Sequence, residues 1–279
     1  MKNSNKVFLK LLFILFILYI LFILFNHFKY FEKFSNNYYK INGIDKIVWI
    51  NLDRSVERKK NMESLLNQTN IPHQRISGID GQKINVNKIT NDLIMDKKMS
   101  LGEIGCTLSH IKSINALKNE KGNYFMVCED DIGFDNLGYF KKNDLKKIIK
   151  NAPKFDILMI NKTYTKELNN TYEKWITNYN KNKKIWGTVC YIISKDGVKK
   201  ICKICEYIND NQFKFNKNIY NGFNVADIYL YKLLNTWVYK YNFINTSDQI
   251  SFIHNNHLNY HKNSNLFNLN LIKENQQIL

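Results

Sequence analysis

Proline and cysteine are both scarce in this sequence of 279 residues, which contains two prolines and five cysteines. The odd number of cysteines excludes a closed set of disulfides. Cys202 and Cys205 have the spacing of half a zinc site, but no second Cys or His pair with metal-ligand spacing accompanies them. We assign neither metal nor redox chemistry to this pair. Cys106, Cys128 and Cys190 lie among small or apolar neighbours and are interpreted as buried thiols.

Acidic residues are few compared with basic ones: 24 against 41, a formal net charge of +17. Such a balance is typical of proteins with an anionic partner, whether nucleic acid, a membrane surface or a phosphorylated substrate. Here the lysines are spread along the chain, and Lys, Asn, Ile, Tyr and Phe are abundant together, as expected of a gene from an AT-rich genome. The charge is therefore mostly background, and we do not expect nucleic-acid binding.

One long apolar run stands near the start of the chain, at residues 7–25, with Lys10 as its single charge. A run of about 20 residues is long enough to span a bilayer. No small-residue cleavage site follows, which favours a retained signal anchor over an unusually long signal peptide. Lys2, Lys6 and Lys10 predict a cytosolic N-terminus, with the remainder in a lumen such as that of the endoplasmic reticulum or Golgi.

The rest of the chain is predicted to be one globular domain at residues 44–262, joined to the anchor by a stem at 26–43. Residues 1–6 are a predicted cytosolic tail, and residues 263–279 a loose polar tail. Within the domain, predicted strands at 46–52, 73–76, 124–128, 155–160, 185–194 and 237–243 alternate with predicted helices at 55–68, 101–119, 144–150, 195–207 and 224–234. This alternation predicts an α/β fold with an at least partly parallel sheet.

The most informative stretch is Y-F-M-V-C-E-D-D, in which an apolar strand stops at three carboxylates: Glu129, Asp130 and Asp131. Acids at the carboxyl end of a strand in an open α/β sheet face the crevice where ligands bind. A divalent metal that also touches a phosphate would neutralise them, because hard oxygen ligands suit magnesium or manganese. The alternative interpretation is a solvated acidic turn after an edge strand.

Six segments, in order along the chain, resemble glycosyltransferase family 25, which includes bacterial lipooligosaccharide and collagen hydroxylysine galactosyltransferases. They are I-N-L-D-R-S-V-E-R (residues 50–58), R-I-S-G-I-D-G (75–81), L-G-E-I-G-C-T-L-S-H (101–110), C-E-D-D (128–131), G-T-V-C-Y-I-I-S (187–194) and V-A-D-I-Y-L (225–230). Each is weak alone, but six in the expected order over most of residues 44–234 make a specific signal. The resemblance fades after Trp237.

The resemblance implies a Rossmann-like domain of the GT-A type, an acidic metal-binding motif and a uridine diphosphate (UDP) sugar donor. Asp131 is the predicted direct ligand of Mn²⁺ or Mg²⁺, with Glu129 and Asp130 positioning the ribose or metal-bound waters, and Glu129 and His254 as further metal candidates. Asp227 is the predicted general base, with helix capping as its alternative role. The residues expected at the donor are Asn51, Asp53, Arg54, Arg58, Ser109, His110, Glu129, Asp130 and Thr188.

Three of these candidates have structural alternatives. Arg58, one helical turn beyond Asp53, reaches a phosphate or forms a salt bridge with Asp53. His110 is either a donor contact or a satisfied helical histidine. The Thr188 hydroxyl contacts substrate or bonds to backbone.

The expected function is that of a membrane-anchored, metal-dependent glycosyltransferase. It would move a hexose, galactose or glucose, from a UDP-sugar to a hydroxyl of a glycan or hydroxylysine acceptor, and the resemblance implies inversion at the sugar carbon. The alternative is an anchored sugar-binding or scaffold protein that kept the fold and lost turnover. Four sites have the form of N-glycosylation acceptors and would report a lumenal location: Asn67, Asn161, Asn169 and Asn245.

Overall fold

The computed structural model describes residues 41–90, 93–95, 99–141, 143–175, 185–247 and 257–275, together with residues 17 and 19–21. The compact unit considered below comprises residues 40–279. Most of the predicted anchor and most of the predicted stem lie outside the described residues. Within the part of the chain that is described, no helix is both long enough and apolar enough to cross a membrane.

Strands and helices alternate along the compact unit, as the sequence predicts. The helices are α1 Val56–Leu66, α2 Val86–Thr90, α3 Leu101–Ala116, α4 Asp144–Asn151, α5 Lys195–Ile204, α6 Ala226–Leu233 and α7 His257–Glu274, and a 3₁₀ helix spans Asp135–Tyr139. The strands are β1 Lys46–Asn51, β2 His73–Ser77, β3 Ile94–Met95, β4 Tyr124–Glu129, β5 Ile132–Gly133, β6 Ile157–Met159, β7 Tyr172–Lys174, β8 Cys190–Ser194, β9 Cys205–Asn209, β10 Gln212–Phe215, β11 Gly222–Phe223, β12 Thr236–Tyr239 and β13 Asn245–Thr246.

The central sheet has seven strands in the order β2-β1-β4-β8-β6-β12-β7. β1 is parallel to both β2 and β4, and β12 is parallel to β6. β8 runs antiparallel to its neighbours β4 and β6, and β7 runs antiparallel to β12. Five strands therefore share one direction, so the sheet is mostly parallel and the predicted α/β class with an at least partly parallel sheet is confirmed.

Both faces of the central strands are buried. Val48 and Val127 belong to the core that contains Leu108 of α3, and each is fully buried. Ile47 and Met126, which alternate with them along the strands, are equally buried. Successive side chains of a strand point to opposite faces, so such apolar runs are typical of a sheet covered on both sides.

α3 begins at the predicted capping box. The Ser100 hydroxyl accepts a hydrogen bond from the Glu103 N–H at 3.2 Å, and the Glu103 carboxylate accepts one from the Ser100 N–H at 2.8 Å. These two bonds satisfy donors that a helix start would otherwise leave unpaired. The helix packs against α5 and α6 and ends at Ala116, three residues before the predicted end.

The predicted helix at 195–207 is wrong at its C-terminal end. It stops at Ile204, and Cys205–Asn209 forms β9 of a hairpin with β10. The rings of Tyr207 and Phe213 pack edge to face across this hairpin, with centroids 5.4 Å apart. Cross-strand aromatic packing of this kind favours a strand over continuation of the helix.

The predicted loose tail is also wrong, because residues 263–274 belong to α7. Ser264, Asn268, Leu271 and Ile272 of this helix are buried, at positions i, i+4, i+7 and i+8. This spacing is that of a helical stripe facing a core. The pattern is hard to recognise in sequence because half of the stripe is polar.

Lys162, which follows β6, connects α7 to the sheet. Its buried ammonium donates to the Lys240 carbonyl at 2.5 Å, to Asn242 Oδ1 at 3.2 Å and to Asn268 Oδ1 at 3.1 Å. Burial lowers the pKa of Lys162 to about 7, and the nearby charge of Lys240 acts in the same direction. The three bonds join the end of β6, the segment after β12 and α7 at one point.

Candidate active site

The predicted site residues come from strand ends that meet at one edge of the sheet. β1 ends at Asn51 and β4 at Glu129, and these strands are parallel. Because β8 is antiparallel to β4, the segment that precedes it, including Thr188, reaches the same edge. This is the edge at which α/β proteins bind ligands.

Asp130 is held by the first strand and the first helix. Its carboxylate accepts hydrogen bonds from Asn51 Nδ2 and from the Arg58 guanidinium, both at 2.6 Å, and it is 8% exposed. Burial raises the pKa of Asp130, and Arg58 and Asn51 offset only part of this effect. Arg58 thus forms a salt bridge, as its structural alternative stated, but its partner is Asp130 and not the predicted Asp53.

Asp53 instead pairs with Arg75, which sequence reasoning did not select. Arg75 donates to the Asp53 carboxylate at 2.5 Å and to Asn51 Oδ1 at 2.9 Å, and Ser77 donates to Asp53 at 2.9 Å. The Arg75 hydrogen bond is the largest cause of the lowered pKa of Asp53. The motif R-I-S-G-I-D-G contained Arg75, so its place after a predicted strand could have identified it.

Arg54 forms an ion pair with Asp80 in the loop after β2. The Arg54 side chain is 39% exposed and that of Asp53 is 70% exposed, so both stand at the open rim of the site. These two residues are placed where a ligand in the crevice can reach them.

Ser109 fixes the loop after β2 to α3. Its hydroxyl accepts a hydrogen bond from the Ile79 N–H at 2.7 Å and donates one to the Gly105 carbonyl at 2.6 Å, and it is 3% exposed. A Cβ on Gly105 would stand 2.5 Å from the Ile79 oxygen, and one on Gly81 would stand 1.9 Å from the Leu101 oxygen. These contacts give Ser109 a positioning role, while donor contact stays a prediction.

Glu129 turns toward α3 and β8. Thr188 Oγ1 donates to Glu129 Oε1 at 2.7 Å, so the Thr188 hydroxyl bonds a side chain and not the backbone. His110 Nε2 lies 3.3 Å from the same oxygen, and His110 Nδ1 lies 3.1 Å from the Tyr191 hydroxyl. Burial acts to raise the pKa of Glu129, but the bonds from His110 and Thr188 outweigh it and leave this pKa below its ordinary value.

Asp131 is the strand-end carboxylate for which no described residue supplies a counter-charge in direct contact. It is 9% exposed, and its Oδ1 has no hydrogen-bond partner among the described residues. Burial, followed by the charges of Glu129 and Asp130, raises its pKa from 3.8 to about 8. A buried anion of this kind fits a bound cation, and carboxylate oxygen is a ligand that Mg²⁺ and Mn²⁺ prefer.

Asp227 lies in the first turn of α6 and is half-buried, with its Oδ1 accepting from the Ile228 N–H at 2.8 Å. It is not the N-cap of the helix, which is Val225. Burial raises the pKa of the Cys106 thiol, and the charges of Glu129, Asp227 and Asp131 raise it further. Asp227 therefore stands within electrostatic range of the same pocket as the strand-end acids.

α7 contributes a histidine that sequence reasoning missed. His261 Nδ1 lies 3.3 Å from Thr163 Oγ1. Burial lowers the pKa of His261, and the charge of Glu129 opposes this effect. The sequence instead suggested His254, which lies outside the described residues. His261 falls at the end of the predicted domain at 44–262, where no predicted helix or motif drew attention to it.

The mixed α/β fold, with a mostly parallel sheet and an acidic crevice at its carboxyl edge, fits a Rossmann-like glycosyltransferase. The family model described as "Glycosyltransferase family 25 (LPS biosynthesis protein)" matches residues 44–219. The chain belongs to this family.

Curated relatives carry consistent names. A Drosophila melanogaster "Glycosyltransferase 25 family member" is 26% identical over 170 residues, covering 57% of this chain and 28% of the relative. Human "Procollagen galactosyltransferase 2" is 28% identical over 114 residues, covering 37% of this chain and 18% of the relative. A zebrafish (Danio rerio) "Procollagen galactosyltransferase 1" is 27% identical over 103 residues, covering 33% and 17%. The matches thus span less than a third of the length of these relatives.

Proposed function

We propose that this protein is a metal-dependent GT-A-type glycosyltransferase that moves a hexose, galactose or glucose, from a UDP-sugar to a hydroxyl of a glycan or hydroxylysine acceptor. The observation that carries this proposal is Asp131, a buried carboxylate with no partner for Oδ1 among the described residues, at the ligand-binding edge of a family 25 domain. The names of the procollagen galactosyltransferases support galactose as the sugar and a protein as one class of acceptor.

The donor's diphosphate would lie at the carboxyl edge of the sheet. Asp131 would hold the metal ion, with Glu129 near enough to share it or to position its water ligands. When bound, a divalent ion stabilises the negative charge that develops on a diphosphate leaving group. Asp130 is already neutralised by Arg58, so its role is to hold β1, α1 and the acidic turn together.

The exposed rim residues Asp53 and Arg54 are suited to the nucleotide. Asp53 accepts hydrogen bonds from Arg75 and Ser77 and can accept one more from a ribose hydroxyl. Arg54, although paired with Asp80, is exposed enough for its guanidinium to donate to a phosphate.

Transfer also requires a base for the acceptor hydroxyl, and Asp227 is the proposed base. It is half-buried on α6, apart in the chain from the strand-end acids but electrostatically coupled to the same thiol, Cys106. A general base must reach the hydroxyl from the acceptor side of the sugar, and Asp227 is carried by a different element from the strand-end acids, on α6.

Membrane anchoring through residues 7–25 is part of the proposal, with residues 26–43 as the stem and the enzyme domain in a lumen. It is supported by the apolar run and by the basic residues before it.

The decisive experiment measures UDP release by the full chain from UDP-galactose and UDP-glucose, with and without manganese. The acceptors are a collagen peptide whose hydroxylysines carry no galactose, and glycans. We expect manganese-dependent release with one of the two donors. Manganese-dependent UDP binding without release for any acceptor would favour the alternative of an inactive sugar-binding protein. Absence of both binding and release would contradict the proposal.

A further inference from the structure

A second set of ligand atoms lies beside the proposed oxygen-ligand site. Cys106 and His110 are four residues apart on α3 and so project from the same side of the helix. Glu129 approaches them from the end of β4. The cysteine sulfur, an imidazole nitrogen and a carboxylate oxygen of these three residues all lie within 4.8 Å of one another.

This geometry is close to that of a metal centre. In a tetrahedral site with bonds of about 2.0–2.3 Å, the ligand atoms are about 3.3–3.8 Å apart. His110 Nε2 and Glu129 Oε1 are already 3.3 Å apart. Small side-chain shifts would bring the Cys106 sulfur to the same separation, and three protein ligands leave the fourth position open.

The ligand types select a different ion from the one that Asp131 would hold. Thiolate and imidazole are ligands of zinc and of softer divalent ions, whereas magnesium and manganese prefer oxygen. Cys106 is half-buried, so part of this residue is open to solvent. Binding would release the thiol proton to solvent as the thiolate forms.

We propose that Cys106, His110 and Glu129 form a binding site for Zn²⁺ or a similar thiophilic ion, and that its occupancy excludes the metal–diphosphate complex at Asp131. The second part rests on the proposed function. Glu129 would leave its bond with Thr188 to become a ligand and would no longer be available to an ion at Asp131. The charge of the second dication would also act on Asp131, which lies within electrostatic range of Glu129. Two dications this close repel one another strongly unless a ligand bridges them.

The direct test uses Cd²⁺ as the probe, because its bond to a thiolate produces a near-ultraviolet charge-transfer band. The full chain, freed of metal, is titrated with Cd²⁺, and zinc affinity is then measured by calorimetry. We expect a band that saturates at one equivalent. Cys106→Ser keeps a hydroxyl near Thr188 but removes the sulfur, so it should lose the band and weaken zinc binding by at least about tenfold.

The matched control is Cys202→Ser, which removes another half-buried thiol, on α5. It should keep both the band and the zinc affinity. The proposed site is refuted if Cys106→Ser retains the band, or if Cys202→Ser loses it.

A separate experiment tests whether zinc at the cluster excludes the metal–diphosphate complex at Asp131. It measures manganese-dependent UDP binding with and without zinc. Zinc should abolish this binding in the unmodified chain and in Cys202→Ser but spare it in Cys106→Ser. Equal inhibition of all three would overturn exclusion through this cluster, as would no inhibition of the unmodified chain. If the chain binds no UDP with manganese at all, the proposed function fails, whereas the cadmium titration still decides whether the cluster binds metal.

Discussion

At the scale of single residues, the three adjacent acids have different electrostatic surroundings. Glu129 is stabilised by His110 and Thr188, and Asp130 by Arg58. Asp131 receives no such compensation at Oδ1 from the described residues. An uncompensated buried carboxylate costs stability in the folded state and is typical of a site that binds a cation.

The first prediction concerns the stability of the metal-free protein. The pKa of Asp131 is 3.8 ordinarily and about 8 in the folded state, so the folded state binds more protons between these values. Stability from this group is present below about pH 4 and is lost as the pH rises through about 8. Asp131→Asn should therefore raise the melting temperature of the metal-free chain at pH 8 much more than at pH 4.

Thermal unfolding with a chelator, at pH 4, 6 and 8, measures this effect. Asp53→Asn is the control, because Asp53 is exposed and has a lowered pKa, so its loss should not stabilise the chain. If the melting temperatures of Asp131→Asn and the unmodified chain differ by the same amount at all three pH values, the raised pKa of Asp131 is contradicted.

The second prediction separates the roles of two acids. Asp131→Asn should weaken metal and UDP binding together, because the diphosphate is held through the ion. Asp227→Asn should leave both nearly unchanged and lower transfer by about 10²–10⁴-fold, the usual contribution of a general base. Calorimetry with manganese and UDP, alongside turnover, distinguishes the two.

Loss of metal-dependent UDP binding in Asp227→Asn would make Asp227 a donor-site residue. Normal binding in Asp131→Asn would mean that the metal lies elsewhere.

At the scale of elements, α3 links the site to the core. It carries Cys106, Ser109 and His110, and its first turn lies against the loop after β2 with no room for a side chain at Gly81 or Gly105. The position of this helix therefore depends on the close approach of two backbone segments.

The third prediction follows from this approach. Gly81→Ala should lower the free energy of unfolding by about 1–3 kcal/mol, because a Cβ 1.9 Å from the Leu101 oxygen forces the backbone to move. Gly138→Ala, where nothing lies within 4 Å of the new Cβ, should change it by about 0.5 kcal/mol or less. Denaturant unfolding of both variants measures the two changes in the free energy of unfolding. Equal changes would show that the backbone around residue 81 accommodates the new Cβ at little cost.

The sequence predicted the elements that have a clear period or a clear start signal. The apolar strands around Val48 and Val127, and α3 with its capping box, were predicted because local composition determines them. α7 was missed because Ser264 and Asn268 are buried through hydrogen bonds to distant segments, which no local pattern reports.

The same limit applies to the site. The predicted strand ends indicated that Asn51 and the acidic turn lie at the same edge of the sheet. The partners of Arg58 and Asp53, however, come from neighbouring strands, and the sequence does not show which side chains are close enough to pair. Only the fold reveals that Asp130 takes Arg58 and that Arg75 takes Asp53.

At the scale of the whole molecule, the burial of the glycosylation acceptors gives a test of location. Asn161 is 1% exposed and donates to the Ile244 carbonyl at 2.8 Å, and Asn245 is also buried. The sequence leads to the expectation that Asn161 and Asn169 are both modified in a lumenal domain, but in the folded chain the burial of Asn161 and Asn245 opposes their modification. Asn67 and Asn169 are exposed.

The fourth prediction is that a eukaryotic host modifies Asn67 and Asn169 but not Asn161 and Asn245, if the enzyme domain is lumenal. Mass spectrometry of the purified full chain, with single Asn→Gln variants as controls, reads the occupied positions. An unmodified chain that is open to protease from the cytosolic side would reverse the proposed orientation.

The three hydrogen bonds of the Lys162 ammonium affect the order in which parts of the fold can form during translation. These bonds join residue 162 to residues 240, 242 and 268. The helix that they hold, α7, also carries His261, which lies beside Thr163 and within electrostatic range of Glu129. A nascent chain still on the ribosome can assemble β1, β2 and β4 long before α7 has been translated. The acidic turn can thus form during synthesis before α7 is present, and we expect the arrangement of the acidic turn with His261 to be complete only when translation has passed α7.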